Sequence, residues 1–128
     1  MKIKLTSVFV SNQDKALDFY TKTLGFVKKA DVSAGAYRWL TVVSPEEPNG
    51  AQIVLEPNSY PAAKSYQEAI FKQSIPAAMF FVDDIQKEYH RLKGLGVKFT
   101  MEPTRTPGST ITRFDDTCGN LIQITQLG

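Results

Sequence analysis

The chain has 128 residues, of which 42% are apolar and 22% charged, with 15 Lys and Arg against 13 Asp and Glu. That length fits one structural domain, and the apolar fraction is enough for a core, which excludes a disordered chain. The near-balanced charge and the lack of a clustered basic face argue against a nucleic-acid partner.

Taken in chain order, the first apolar segment is Val8-Phe9-Val10-Ser11-Asn12, a strand leading into a helix start at Asn12 or Gln13. Ala16, Leu17, Tyr20 and Leu24 follow at helical spacing and predict an apolar stripe, and Gly25 is a natural stop. Strands are then expected over Phe26–Ala30, Tyr37–Val43 and Ala51–Glu56. Pro45-Glu46-Glu47-Pro48-Asn49-Gly50 marks a hairpin turn between the last two. Pro61-Ala62-Ala63-Lys64 opens a short connector helix running to about Phe71.

The second half repeats the first. Phe80-Phe81-Val82-Asp83-Asp84 is a strand leading into a helix with Ile85, Tyr89 and Leu92 on one face, and Gly94 and Gly96 end it. Strands are expected over Val97–Glu102, Thr110–Asp115 and Leu121–Gln126. Val10 to Gly25 spans 15 positions and Val82 to Gly96 spans 14, and Lys22 and Lys93 each stand two residues before a Leu. A duplicated supersecondary unit is the simplest explanation. The fold class is α+β, two β-α-β-β-β modules, with module one at about 1–58, the connector at about 59–74 and module two at about 75–128. Asp14-Lys15 and Asp83-Asp84 are expected to cap the helices, since carboxylates favour helix starts.

Cys118 is the only cysteine, so no intrachain disulfide is available and a reducing compartment, the cytoplasm, is expected. The opening Met1–Ser7 has no long apolar run, so no signal peptide is expected. The longest apolar run, Ile75–Val82, is too short to cross a bilayer, so no membrane association is expected.

The segment from Val10 through Phe19-Tyr20 to Leu24-Gly25-Phe26 resembles the opening of the vicinal oxygen chelate superfamily. That superfamily holds glyoxalase I, extradiol dioxygenases, fosfomycin resistance enzymes and bleomycin resistance proteins. Phe114-Asp115-Asp116-Thr117-Cys118-Gly119-Asn120 is similar to its closing signature, with Thr117 where the family usually has Pro. The resemblance covers nearly the whole chain. It implies paired modules whose mixed sheets curl around a cavity, and a homodimer in which the partner often completes that cavity. The reaction does not follow from the fold, because the scaffold hosts many.

In metal-using members four inward-facing strand positions hold the ion. Carried onto this sequence by distance from the matched motifs, they are Leu5, Val54, Ala77 and Gln123. Leu, Val and Ala offer no lone pair, and one amide oxygen falls short of the three or four imidazole and carboxylate donors of typical sites. The single histidine, His90, falls on the second helix and reads as a surface residue. No metal and no cofactor are expected.

A cup without metal acts through shape, apolar contact and a few polar groups. Strand alternation places Leu5, Ser7 and Phe9 on one face, Val54 and Glu56 on another strand's face, Ala77, Met79 and Phe81 on a third, and Leu121, Gln123 and Thr125 on a fourth. The candidate ligand contacts are Ser7, Phe9, Arg38, Trp39, Glu56, Met79, Phe81 and Gln123. Trp39 with Tyr37 can stack a flat ligand or fill an interface. Arg38 can pair with a ligand anion or with Glu56. No catalytic residue is identified beyond Glu56, a candidate general base if the cavity buries it. For Asp115, Asp116 and Asn120 a metal-binding loop is one reading, while the resemblance implies that they shape the final hairpin; Cys118 reads as an incidental turn cysteine.

Three functions fit this sequence. The first is a metal-free small-molecule-binding dimer like the bleomycin resistance proteins, although a slightly basic chain suits a cationic drug poorly. The second is a lyase, isomerase or dioxygenase of the superfamily with an atypical or metal-independent site. The third is a structural module with a filled cavity.

Overall fold

Two residues with short polar side chains start the two main helices. Asn12 is extended (φ −152°) and its Oδ1 accepts the backbone N–H of Lys15, while Asp84 is extended (φ −135°) and accepts that of Lys87. Each satisfies one donor of a first helical turn that has no partner inside the helix. The computed structural model describes all residues, Met1–Gly128. In chain order the elements are β1 (Leu5–Val10), α1 (Gln13–Asp18), β2 (Val27–Ala34), β3 (Tyr37–Val43), β4 (Gln52–Pro57), α2 (Pro61–Lys72), β5 (Ala78–Phe81), α3 (Ile85–Gly94), β6 (Thr104–Thr106), β7 (Ser109–Asp115) and β8 (Leu121–Leu127).

The chain divides into two compact units, Met1–Lys64 and Ser65–Gly128. In the first, the strands lie in the order β1-β4-β3-β2, with β1 and β4 parallel and the other pairs antiparallel. In the second the order is β5-β8-β7-β6, with β5 and β8 parallel. The repeat seen in the sequence is therefore a repeat of topology, and the fold is the expected α+β arrangement of two mixed sheets.

Each sheet has a helix-covered side. In unit one, Val8, Val10, Leu40, Val42 and Leu55 alternate onto one side and are buried, as are Ala16, Phe19 and Tyr20 of the helix. α1 continues without a break into a π-helical turn, Phe19–Thr23, which Gly25 ends at φ +91°. The wider turn moves Phe19 into the core and leaves Leu17 and Leu24 half-buried, which is where the expected stripe of Leu17 and Leu24 departs from the structure. In unit two, Ile85, Tyr89 and Leu92 are all buried, as predicted, and α3 lies against β7 and β8. Burying a side chain of this size stabilises by roughly 1.5–3 kcal/mol.

The expected strand over Val97–Glu102 is corrected. Only Phe99 bridges to β7, opposite Phe114, and the edge strand lies later, at Thr104–Thr106. Phe99 is held by rings, 4.6 Å from Tyr89 and 5.5 Å from Phe114 between centroids. Beyond it the ladder stops: the Thr112 hydroxyl takes the Met101 carbonyl at 2.7 Å, and Pro103 has no N–H to offer. Asp14 does not cap α1; it lies in the first turn, and Asn12 is the cap. No helix is long and apolar enough to cross a membrane.

Candidate functional site

The side of each sheet away from its helix holds the candidate ligand contacts. In unit one, Ser7 pairs with Val54 and Phe9 with Glu56, so these four share a side, as strand parity predicts. Thr41 pairs with Val54 and places Trp39 and Tyr37, two and four residues back along β3, on that side too. Ser7 is exposed, whereas Phe9, Trp39 and Glu56 are half-buried. No cation lies within 4.0 Å of the Glu56 carboxylate. Lost hydration, and then the negative charge of Glu56 and the neighbouring Tyr60, raise the Tyr37 phenol above its ordinary pKa. The recorded pairing of β3 with β4 ends at Thr41–Val54. Past that point Gln13 Nε2 donates to Arg38 O at 3.1 Å and Leu55 O at 2.8 Å, tying the strands at the Trp39–Glu56 end.

Arg38 is placed apart from the other candidates. It neighbours Trp39 in a strand and so points to the opposite side. There its Nε and Nη2 donate to both Asp31 oxygens, at 2.9 and 3.0 Å, and its Nη1 donates to Asp14 at 2.6 Å. The expected pairing with Glu56 is therefore absent. The guanidinium holds the Asp31 carboxyl below its ordinary pKa, and the two carboxylates raise that of Arg38.

In unit two, Met79 pairs with Gln123 and Phe81 with Thr125, while Arg113 pairs with Gln123 from the other flank. Met79 and Phe81 are 48% and 60% exposed, whereas Gln123 is 5% exposed. Arg113 Nε donates to Gln123 Oε1 at 3.0 Å, and Gln123 Nε2 donates to Thr125 Oγ1 at 3.2 Å. Arg113 escaped the sequence reading. It sits in a correctly predicted strand, but placing it beside Gln123 requires the β7–β8 register, which the turn between them sets.

The donor set does not fit a catalytic metal. Leu5 is exposed on β1, Val54 is buried on β4, and Ala77 precedes β5. The one oxygen donor among the four positions, that of Gln123, is already bonded to a guanidinium, so a divalent cation there would meet a positive charge. No group of three or more His, Cys, Asp or Glu side chains is arranged to hold an ion. His90 is exposed on α3 with its ring edge-on to Tyr89, 5.5 Å between centroids.

The turn between β7 and β8 is built around Asp116, which is fully buried. Its Oδ1 accepts the N–H groups of Cys118 (2.7 Å) and Asn120 (3.0 Å), and its Oδ2 accepts Asn120 Nδ2 (2.8 Å). Gln67 of α2 closes the network, donating to Cys118 O and to Asn120 Oδ1. Cys118 is buried within this turn and is engaged through its backbone. Thr117 adopts φ 66°, and its N–H donates to Asp115 Oδ1 at 2.7 Å. A proline can reach neither that φ nor that bond. Thr117→Pro is therefore expected to destabilise the chain by about 2–4 kcal/mol, read as a lowered urea midpoint. An unchanged midpoint would show that the turn readily takes the other conformation.

The comparisons agree with this geometry. The profile of the Glyoxalase/Bleomycin resistance protein/Dioxygenase superfamily matches residues 2–124. YurT of Bacillus subtilis (strain 168) is 60% identical over 126 residues, covering 98% of this chain and 99% of YurT. The crystal structure of UcmS2 is similar at a TM-score of 0.84 and 31% identity, covering 98% of this chain and 97% of that one. TnmS3, an antibiotic binding protein from Streptomyces sp. CB03234, is similar at a TM-score of 0.80 and 30% identity, covering 100% and 97%. With the duplicated β-α-β-β-β topology, the Asp116–Asn120 turn and a profile match over almost all residues in agreement, the chain belongs to the Glyoxalase/Bleomycin resistance protein/Dioxygenase superfamily.

Proposed function

We propose that this protein is a homodimer that binds a small, flat, largely aromatic molecule without a metal ion. The observation that supports this best is the open side of the first sheet, where Tyr37 and Trp39 project next to Phe9 and an unpaired carboxylate, Glu56. Aromatic side chains give a planar ligand a large contact area, and Glu56 supplies an acceptor for a ligand O–H or N–H. The similarity to TnmS3, an antibiotic binding protein, points toward antibiotics as the ligand class. Ser7, Met79, Phe81 and Gln123 remain candidate contacts on the open sides of the two sheets. A dimer would cover exposed apolar groups of these sides, Leu5 and Leu127 among them. A lone buried Cys118 with no disulfide fits a cytoplasmic protein.

Purified protein titrated with planar polycyclic antibiotics is expected to gain thermal stability with at least one compound and to lose Trp39 fluorescence on binding. Glu56→Gln should weaken that compound by about tenfold while leaving the unliganded melting temperature unchanged. A metal assay of the same sample is expected to find no stoichiometric zinc, nickel, iron or manganese. Tight binding with unchanged Trp39 emission would refute the placement. Stoichiometric metal whose removal abolishes binding would refute the metal-free reading.

A further inference from the structure

Arg113 is the one cation on the open side of β5, β8 and β7, and the ligand reading above leaves it unused. Its guanidinium is held from two directions by neutral acceptors: Nε donates to Gln123 Oε1 at 3.0 Å and Nη1 to Ser74 O at 3.3 Å. Both supports are fixed. Gln123 is buried and braced by Thr125, and Ser74 offers its carbonyl from a left-handed backbone conformation at φ 59°. No carboxylate lies within 4.0 Å of Arg113. Asp115, two residues along the same side of β7, turns its Oδ1 to the Thr117 N–H instead.

Arg38 shows what the chain does when an arginine is structural, surrounding it with Asp31 and Asp14. Arg113 is half-buried and oriented, its Nη2 donates to no group of the chain, and the apolar Met79 and Phe81 lie on the same side, both on β5, two strands away. A half-buried guanidinium with an oriented plane and open donors gains most from a two-oxygen anion, which it binds through parallel hydrogen bonds.

We infer that the open side of the second sheet is an anion subsite, in which Arg113 takes a carboxylate of a ligand whose apolar body rests on Met79 and Phe81. Gln123 is the positioning residue. The residue at the fourth metal position of the family thus aims a guanidinium here. This inference rests on the small-molecule reading above and adds a place for acidic ligands on the second sheet.

The test uses anthraquinone-2-carboxylate and its methyl ester, titrated calorimetrically into the full chain at low salt. The carboxylate is expected to bind at least about tenfold tighter than the ester. Arg113→Gln should erase that difference by weakening the carboxylate alone. Gln123→Glu, which keeps the size and sets a carboxylate against Arg113, should erase it too, so the test survives if Arg113→Gln fails to fold. Equal binding of acid and ester to the parent protein overturns the subsite and leaves the small-molecule reading standing. If neither anthraquinone binds, benzoate followed on the Arg113 Nε–Hε resonance decides. A saturable shift, absent in Gln123→Glu, supports the subsite and overturns the flat-ligand reading, whereas no shift overturns both.

Discussion

Asp116→Ala is expected to lower stability by roughly 3–5 kcal/mol, a large part of the total for a domain of this size. The carboxylate is fully buried and accepts three hydrogen bonds, from Cys118 N, Asn120 N and Asn120 Nδ2. Truncation leaves these three donors without their acceptor in a place water does not reach. The cost is set by the stranded donors more than by the lost bonds, since burying an unpaired donor costs about 1–3 kcal/mol. The effect then spreads, because Asn120 Oδ1 also receives Gln67 Nε2 and loosening Asn120 loosens the hold on α2. A fall of roughly 10–20 °C in melting temperature is the expected reading. Asp116→Asn keeps the shape and removes the steric variable: its amide must set a donor against at least one of the three donors, so it too should destabilise. If Asp116→Asn were neutral, the turn would depend on packing and not on the acceptor.

The second large effect is expected at Gly119. This residue stands at φ +100°, and a Cβ there would lie 2.8 Å from Gln67 Cδ and Nε2. Two costs add in Gly119→Ala. The backbone conformation is one that L side chains rarely adopt, and the new methyl displaces a buried amide that holds Cys118 O and Asn120 Oδ1. About 3–5 kcal/mol is expected in total. The two parts separate in a double-mutant cycle with Gln67→Ala. In that background the methyl has room, so Gly119→Ala should cost only the backbone part, and the urea midpoints should be clearly non-additive. Additive costs would show that Gln67 yields freely and that backbone strain alone sets the effect.

These two predictions come from a turn whose role the family resemblance implies. Asp115, Asp116 and Asn120 read as shaping the last hairpin, and Asp116 does so through its acceptors. The position of each helix start was legible because caps act within three residues, although the first cap is Asn12 and not the expected Asp14, whereas Asp84 caps the second as expected. Strand alternation grouped Ser7 with Phe9, and Val54 with Glu56, because a period of two needs no knowledge of the partner strand. What was not legible depended on partners distant in sequence. Val97–Glu102 has the composition of a strand, but the Thr112 hydroxyl claims the Met101 carbonyl and aromatic packing holds Phe99. Arg38 looked free to meet Glu56 until Asp14 and Asp31 were brought to it from α1 and β2. Arg113 gained its meaning only once β7 and β8 were in register.

Every recorded strand pairing joins strands of the same half of the chain, the first half spanning β1 to β4 and the second β5 to β8. During synthesis on the ribosome, the first sheet therefore has all of its hydrogen-bonding partners once Pro57 has emerged, before any of the second sheet exists. Its pairing need not wait for the rest of the chain, and the loops it must close stay short. The hazard of this order is the side that has no helix. Leu5, Val27, Val32 and Tyr37 are exposed even in the complete chain, so this apolar strand surface is on view from the moment the first sheet forms. The duplication that makes the architecture easy to repeat therefore also puts apolar strand surface in solvent early in synthesis.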